Sequence, residues 1–216
     1  MTSPPSAPDP LPVPAEIVAN LRSAWEEVAA PGASFTGEQR VAITAEARRA
    51  WSGEAAGSAP EDAGLPPAAG EAARRLAASP HGIRRPWVED IVGGGLGYAG
   101  YVEIVGIVSR VVASDTFTDA LGLAGAPLPD PRPGPPSGEI AAVARPGQAW
   151  VPMVGATSIT QALSLVPAEN AALERYHGPM YLAFEEMADP AISRALTRPQ
   201  MEFVAARTSA VNECFY

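Results

Sequence analysis

LTRPQMEFVAARTSAVNECFY, residues Leu196 to Tyr216, carries the only cysteine of the 216-residue chain and decides how the rest is read. It opens as a helix should. Thr197 followed three residues later by Gln200 has the form of a capping box, Pro199 falls in the first turn, where its missing N–H costs nothing, and Leu196 can staple onto Met201. Val204, Thr208, Val211 and Phe215 then recur at helical spacing, so the pattern predicts a buried stripe. Two arrangements of Glu202 and Cys214 are open. On an unbroken helix they lie about 18 Å apart along the axis and cannot touch. If the helix breaks at Asn212, a good N-cap residue, Cys214 falls in the first turn of a new helix, where free N–H groups favour a thiolate and Glu202 can fold back beside it.

Working outward, the same grammar appears earlier. Phe35 to Trp51 (FTGEQRVAITAEARRAW) places Thr36 and Gln39 where the terminal stretch has Thr197 and Gln200, which reads as an internal repeat. Laid over one another, Val41 takes the place of Glu202 and Gly53 that of Cys214, so the first copy has neither acid nor thiol. Further helices are expected at Pro14 to Ala30, Ala68 to Ser79, Arg84 to Val92, Tyr98 to Val112, Thr157 to Val166 and Asn170 to Met187, the last broken by Gly178-Pro179. Nothing reads as a strand beyond a short extended piece at Trp150 to Met153. The fold class is therefore all-α.

Between the helices, proline and glycine mark the connections. Residues 1–13 read as a disordered arm, 14–126 as a first helical unit without a thiol, 127–148 as a Pro-rich linker and 149–216 as the start of a second helical unit. PLPDPRPGPP (Pro127 to Pro136) forbids helix and central strand; it either wraps the first unit or is flexible. Ser52 to Pro67 is expected to be a mobile loop. Gly93-Gly94-Gly95-Leu96-Gly97 splits the most apolar stretch into two helices, and with no preceding strand and no Gly-Lys-Ser/Thr it is no phosphate loop. Glu103, inside that stretch, is either a partnered core acid or a residue supporting a site, and Gly106 is small enough for a close crossing. Trp25 reads as a core anchor and His81 as a solvated turn residue.

Composition narrows the function. A formal charge of −9 argues against nucleic-acid and anionic-membrane partners. All basic residues are arginine, which with the wealth of Ala, Gly and Pro points to a GC-rich, bacterial coding sequence. One cysteine excludes an intrachain disulfide framework, and two histidines leave no metal-ligand cluster, so neither metal nor cofactor is expected. No N-terminal leader and no run of about 20 apolar residues is read, which gives a cytoplasmic protein without membrane contact.

Glu202 and the run Ser209-Ala210-Val211-Asn212-Glu213-Cys214-Phe215-Tyr216 resemble the active-site segment of the alkylhydroperoxidase D / carboxymuconolactone decarboxylase superfamily. Its pattern is a glutamate followed, after an intervening stretch, by Cys-x-x-Cys and a histidine. Glu202 falls on the glutamate and Cys214 on the first cysteine. The second cysteine and the histidine would fall about three and about seven residues after Cys214, past Tyr216. Three explanations are open: a fragment, a truncated gene, or a UGA codon for selenocysteine read as a stop.

The resemblance implies an alkylhydroperoxidase D-like helical bundle, with two related units of which the second is incomplete, and an oligomer. It implies a thiol peroxidase or disulfide oxidoreductase in which Cys214 is a redox cysteine and Glu202 relays protons. His177 is a candidate proton relay. The partners would be a hydroperoxide and a thiol or disulfide electron donor. With a single thiol, the chain is expected to be impaired in turnover. Two other readings are a decarboxylase of the same superfamily and a degenerate scaffold of the same fold.

Overall fold

A computed structural model of the chain describes residues 12–53 and 63–214. The N-terminal arm up to residue 11, most of the expected loop after Ser52, and Phe215 and Tyr216 lie outside the described residues. Helices α1 (Ala15–Val28), α2 (Gly37–Ser52), α3 (Pro67–Ala78), α4 (Arg85–Ile91), α5 (Gly97–Ala120), α6 (Pro167–Met180) and α7 (Arg198–Val211) make up the fold. Among the described residues there is no strand, only an isolated antiparallel bridge between Arg145 and Met153. The all-α class holds.

The core forms where α2, α3 and α5 meet. α3 offers the small side chains Ala69, Ala72, Ala73 and Ala77, each buried, so its backbone can approach the branched residues Ile43 of α2 and Ile104, Ile107 and Val111 of α5. α2 begins at a complete capping box: Gln39 N–H donates to Thr36 Oγ1, and Thr36 N–H donates to Gln39 Oε1 at 3.1 Å. It ends at Gly53, whose φ of 70° is the left-handed cap that a glycine adopts freely.

The glycine cluster separates α4 from α5, as expected: Gly95 at φ 109° and Gly97 at φ 70° leave helical geometry and kink the chain between the two helices. α5 then runs eight residues beyond the expected end at Val112, because Ser114 and Asp115 are buried by partners: Tyr176 Oη lies 3.1 Å from Ser114 Oγ, and Arg48 Nε donates to Asp115 at 2.7 Å. Arg85–Ala120 is long and apolar enough to cross a membrane by length and composition, which corrects the expectation that no run qualifies. In this fold the run is a core element whose Glu103 and Arg110 are ion-paired.

The Pro-rich segment wraps the first unit. Arg48 Nη1 donates to Ala126 O and Trp25 Nε1 to Pro127 O, both at 2.6 Å, while Arg48 stacks over the Trp25 ring. Further along, Arg132 N–H donates to Ala29 O, and Ser137 and Gly138 to Gly32 O and Ala33 O. The extended backbone that proline enforces leaves N–H and C=O groups free to bond neighbouring turns. Trp25 is half-buried and clamps this strap as well as lining the core.

Two expected helices differ. Thr157 to Val166 is not an α-helix: only Ile159–Gln161 forms a 3₁₀ turn, and Leu163, Leu165 and Val166 are buried in a second small cluster by the chain's irregular path. α6 starts earlier than expected, with Pro167 in its first turn, continues through Gly178-Pro179 and stops at Met180. Packed against α1 and α5, it joins the region after the strap to the first unit.

Candidate functional site

α7 carries the sequence-predicted acid. Its capping box forms, with Thr197 N–H donating to Gln200 Oε1 at 2.9 Å. Glu202, one turn on, is exposed and accepts from Arg198 Nε at 2.6 Å and from Tyr181 Oη at 2.9 Å. These two donors hold its carboxyl below the usual carboxylate range, and the Tyr181 phenol is raised by its burial and by the neighbouring Glu202. Tyr181 also meets the His177 ring edge-on, with centroids 5.5 Å apart. His177 Nδ1 lies 2.6 Å from Leu182 O, so the ring closes the turn after α6 as well as bordering Tyr181. Glu202 and His177 are therefore brought into one neighbourhood, with Tyr181 between them.

Cys214 is not brought there. α7 runs unbroken from Glu202 to Val211, which leaves about 14 Å of helix between Glu202 and the turn that carries the thiol. The helix does break at Asn212, but as its C-cap. Glu213 takes a left-handed φ of 53°, its N–H donates to Ala210 O, and Cys214 N–H donates to Ser209 O at 3.0 Å. That pair of bonds is a Schellman turn. The exposed Cys214 thus follows the carbonyl end of α7, and no new helix begins at Asn212 within the described residues.

The expected buried stripe of α7 is a further correction. Val204 and Val211 are 53% and 65% exposed, and Met201 is the one residue of α7 that is buried. Among the described residues no helix packs along its length. The groove beside it, about 960 Å³, is bordered by Ile17, Met180, Tyr181, Leu196, Met201 and Val204.

A second constellation, hidden from any motif, lies where α2, α5 and α6 cross. Arg40, Glu103, Arg110 and Glu169 are each at most 3% exposed. Arg40 Nη1 bonds Glu103 and, at 2.8 Å, Glu169 Oε1; Arg110 Nη2 bonds Glu169 Oε2 at 2.7 Å; and Ser34 N–H donates to Glu103 Oε2 at 2.6 Å. Gly32 and Gly106 make room for it, since a Cβ at either would overlap the carboxylate of Glu103 or of Glu169. Burial pushes both carboxyls up. For Glu169 the charges of Arg110 and Arg40 more than offset this and leave it below the usual range; for Glu103 burial prevails and its carboxyl is raised. Burial would lower Arg40, but Glu169 and Glu103 outweigh that and raise it.

Sequence reasoning found Glu103 of these four and missed the other three. The one available signal was charge inside apolar helices: Arg110 interrupts an otherwise apolar run, and an arginine there needs a buried acid. Among the described residues no group of three or more His, Cys, Asp and Glu is placed to hold a metal ion. Compared with known protein families, curated proteins and solved structures, the chain matches none.

Proposed function

We propose that the chain is an alkylhydroperoxidase-type thiol peroxidase or disulfide oxidoreductase, with Cys214 as a redox cysteine and Glu202 as the proton-relaying acid, on an alkylhydroperoxidase D-like helical bundle. One observation carries the reading. Glu202 and His177, picked from sequence as acid and candidate relay, share Tyr181 as a neighbour, with Glu202 kept ionised by Arg198. In the reaction Glu202 takes the Cys214 proton, directly or through Tyr181 and water. The thiolate sulfur attacks one peroxide oxygen, the O–O bond breaks, and the proton returns to the departing alkoxide, leaving a sulfenic acid. This requires the Schellman turn to open so that Cys214 can swing back along α7. A second thiol would then condense with the sulfenic acid, expelling water to form a disulfide. A chain with one cysteine takes that thiol from a partner or a small-molecule donor. The reading places the protein in the cytoplasm as a homo-oligomer acting on a hydroperoxide.

The scaffold reading has its own observation in favour, the separation of Cys214 from Glu202. One experiment decides between them. The purified chain is treated with cumene hydroperoxide and the sulfenic acid is trapped with dimedone. The peroxidase reading expects one equivalent consumed, at a rate at least about tenfold above free cysteine and reduced in Glu202→Gln by about the 10²-fold typical of a lost proton-transfer group. A Cys214 that reacts no faster than free cysteine and ignores Glu202→Gln would assign a scaffold. Full catalytic turnover by this chain with a dithiol donor would refute the expected impairment.

A further inference from the structure

We propose that the cleft between α1, the Pro31-Gly32 turn, α6 and the Pro-rich strap binds a small oxyanion, a carboxylate or a phosphoryl group, held by Arg110 and Arg132. The cleft encloses about 240 Å³, enough for a phosphate-sized ligand, and leads from exposed residues, Arg132 and Arg175 among them, to the buried Arg40, Arg110 and Glu169.

A balance of donors and acceptors leads to the anion. Arg40 is fully used: Nε donates to Val28 O, Nη1 bonds both glutamates, and Nη2 reaches Glu27 O. Arg110 is not. It is 1% exposed, its Nη2 bonds Glu169, and its Nε and Nη1 have no partner. A buried guanidinium left with unmet N–H groups is costly, so something in the working protein supplies acceptors. The carboxylates lining the cleft do not. Both oxygens of Glu169 are taken by Arg40 and Arg110, Glu27 is turned to Arg175, whose Nε and Nη2 both donate to its Oε1, and Glu26 lies on the exposed rim. Arg132, delivered to the cleft by the strap, has no ion-pair partner among the described residues. A water could accept from Arg110 alone. An oxyanion would accept from Arg110 and from the exposed Arg132 together, and planar, forked guanidinium donors suit carboxylate and phosphate oxygens.

The test is independent of Cys214 chemistry. Inorganic phosphate is titrated into the intact chain by calorimetry at constant ionic strength, with thermal melts in parallel and sodium chloride as the matched control. Saturable binding and a rise in Tm beyond the chloride control are expected. Arg132→Ala, an exposed position on the strap, should weaken phosphate binding about tenfold, the worth of one charge-assisted hydrogen bond, while leaving the Tm without phosphate unchanged. Arg110→Met, where it folds, should abolish binding. Acetate in place of phosphate separates the sources: equal binding of acetate assigns a carboxylate ligand, phosphate alone a phosphoryl group. No saturable signal with either anion, or undiminished affinity in Arg132→Ala, would overturn the proposal and leave Arg110 to a buried water.

Discussion

Neutralising the two buried glutamates one at a time should have unequal effects, and the inequality tests how the ion cluster is built. Glu169 accepts from two guanidiniums, one on each oxygen, and Glu103 from one guanidinium and the Ser34 N–H. Glu169→Gln keeps the shape but leaves Arg110 with no anion and Arg40 with one. Removing a partner from a buried pair costs about 3–5 kcal/mol, which is about a fifth or more of the stability of a typical domain. Glu103→Gln removes a carboxylate whose burial already opposes its charge, and the amide oxygen can still accept from Ser34, so its cost should be near 1 kcal/mol. The pH dependence separates them further. The lowered carboxyl of Glu169 contributes stability above the unfolded carboxylate range, lost as pH falls through its folded value. The raised carboxyl of Glu103 does the reverse: its contribution is complete below the unfolded range and is lost as pH rises through its folded value. Urea unfolding of both variants and the parent chain, in steps from about pH 2.5 to about pH 8, so that the series extends to both sides of the ordinary carboxylate pKa of about 4.3, measures this. The deficit of Glu169→Gln should grow with pH and that of Glu103→Gln should shrink. Equal costs, or a larger cost for Glu103→Gln at neutral pH, would refute the assignment of Glu169 as the central anion.

Three further outcomes follow from named contacts. Gly106→Ala places a methyl against Glu169 and should destabilise by about 1–3 kcal/mol, whereas Gly82→Ala, with open space around it, should change the urea midpoint little. Trp25→Phe deletes the bond to Pro127 O and should cost about 1 kcal/mol while making the strap cleavable by a protease at lower doses, read by limited proteolysis. Thr197→Ala removes the cap of α7 and should fray that helix by about 1 kcal/mol, seen as faster amide exchange over residues 198–202 with the core amides unchanged.

What was legible in the sequence was local. Thr36 with Gln39 announces the start of α2 through side-chain chemistry that acts within a few residues, and α1 to α5 begin within about one residue of the positions expected from sequence. What was not legible depended on partners far along the chain. α5 outruns Val112 because Arg48 and Tyr176 reach its polar residues, and Leu163 to Val166 are buried without helix because the second small cluster accepts them in irregular form. Of the ion cluster, Glu103 could be suspected, but its partners sit on two other helices and share no spacing with it.

α2 and α7 make the same point within one molecule. Both open with a capping box and both end on a left-handed residue, Gly53 and Glu213, so their local grammar is alike and both helices form. Their packing is opposite. Aligned from Thr36 and Thr197, the fully buried Ile43 corresponds to Val204, which is 53% exposed, and the buried Ala42 to Phe203, which is 74% exposed. Helix formation was therefore decided by termini and burial by neighbours: α2 has α3 and α5 against it, whereas α7 buries only Met201 and is otherwise tied down by polar contacts of Arg198 and Glu202. The same contrast bears on chemistry. Where α7 carries Glu202, α2 has the apolar Val41, and beside Val41 it holds Arg40, the residue that nucleates the buried ion cluster. In α2 charge is turned inward and holds three helices together, whereas on α7 Glu202 faces solvent.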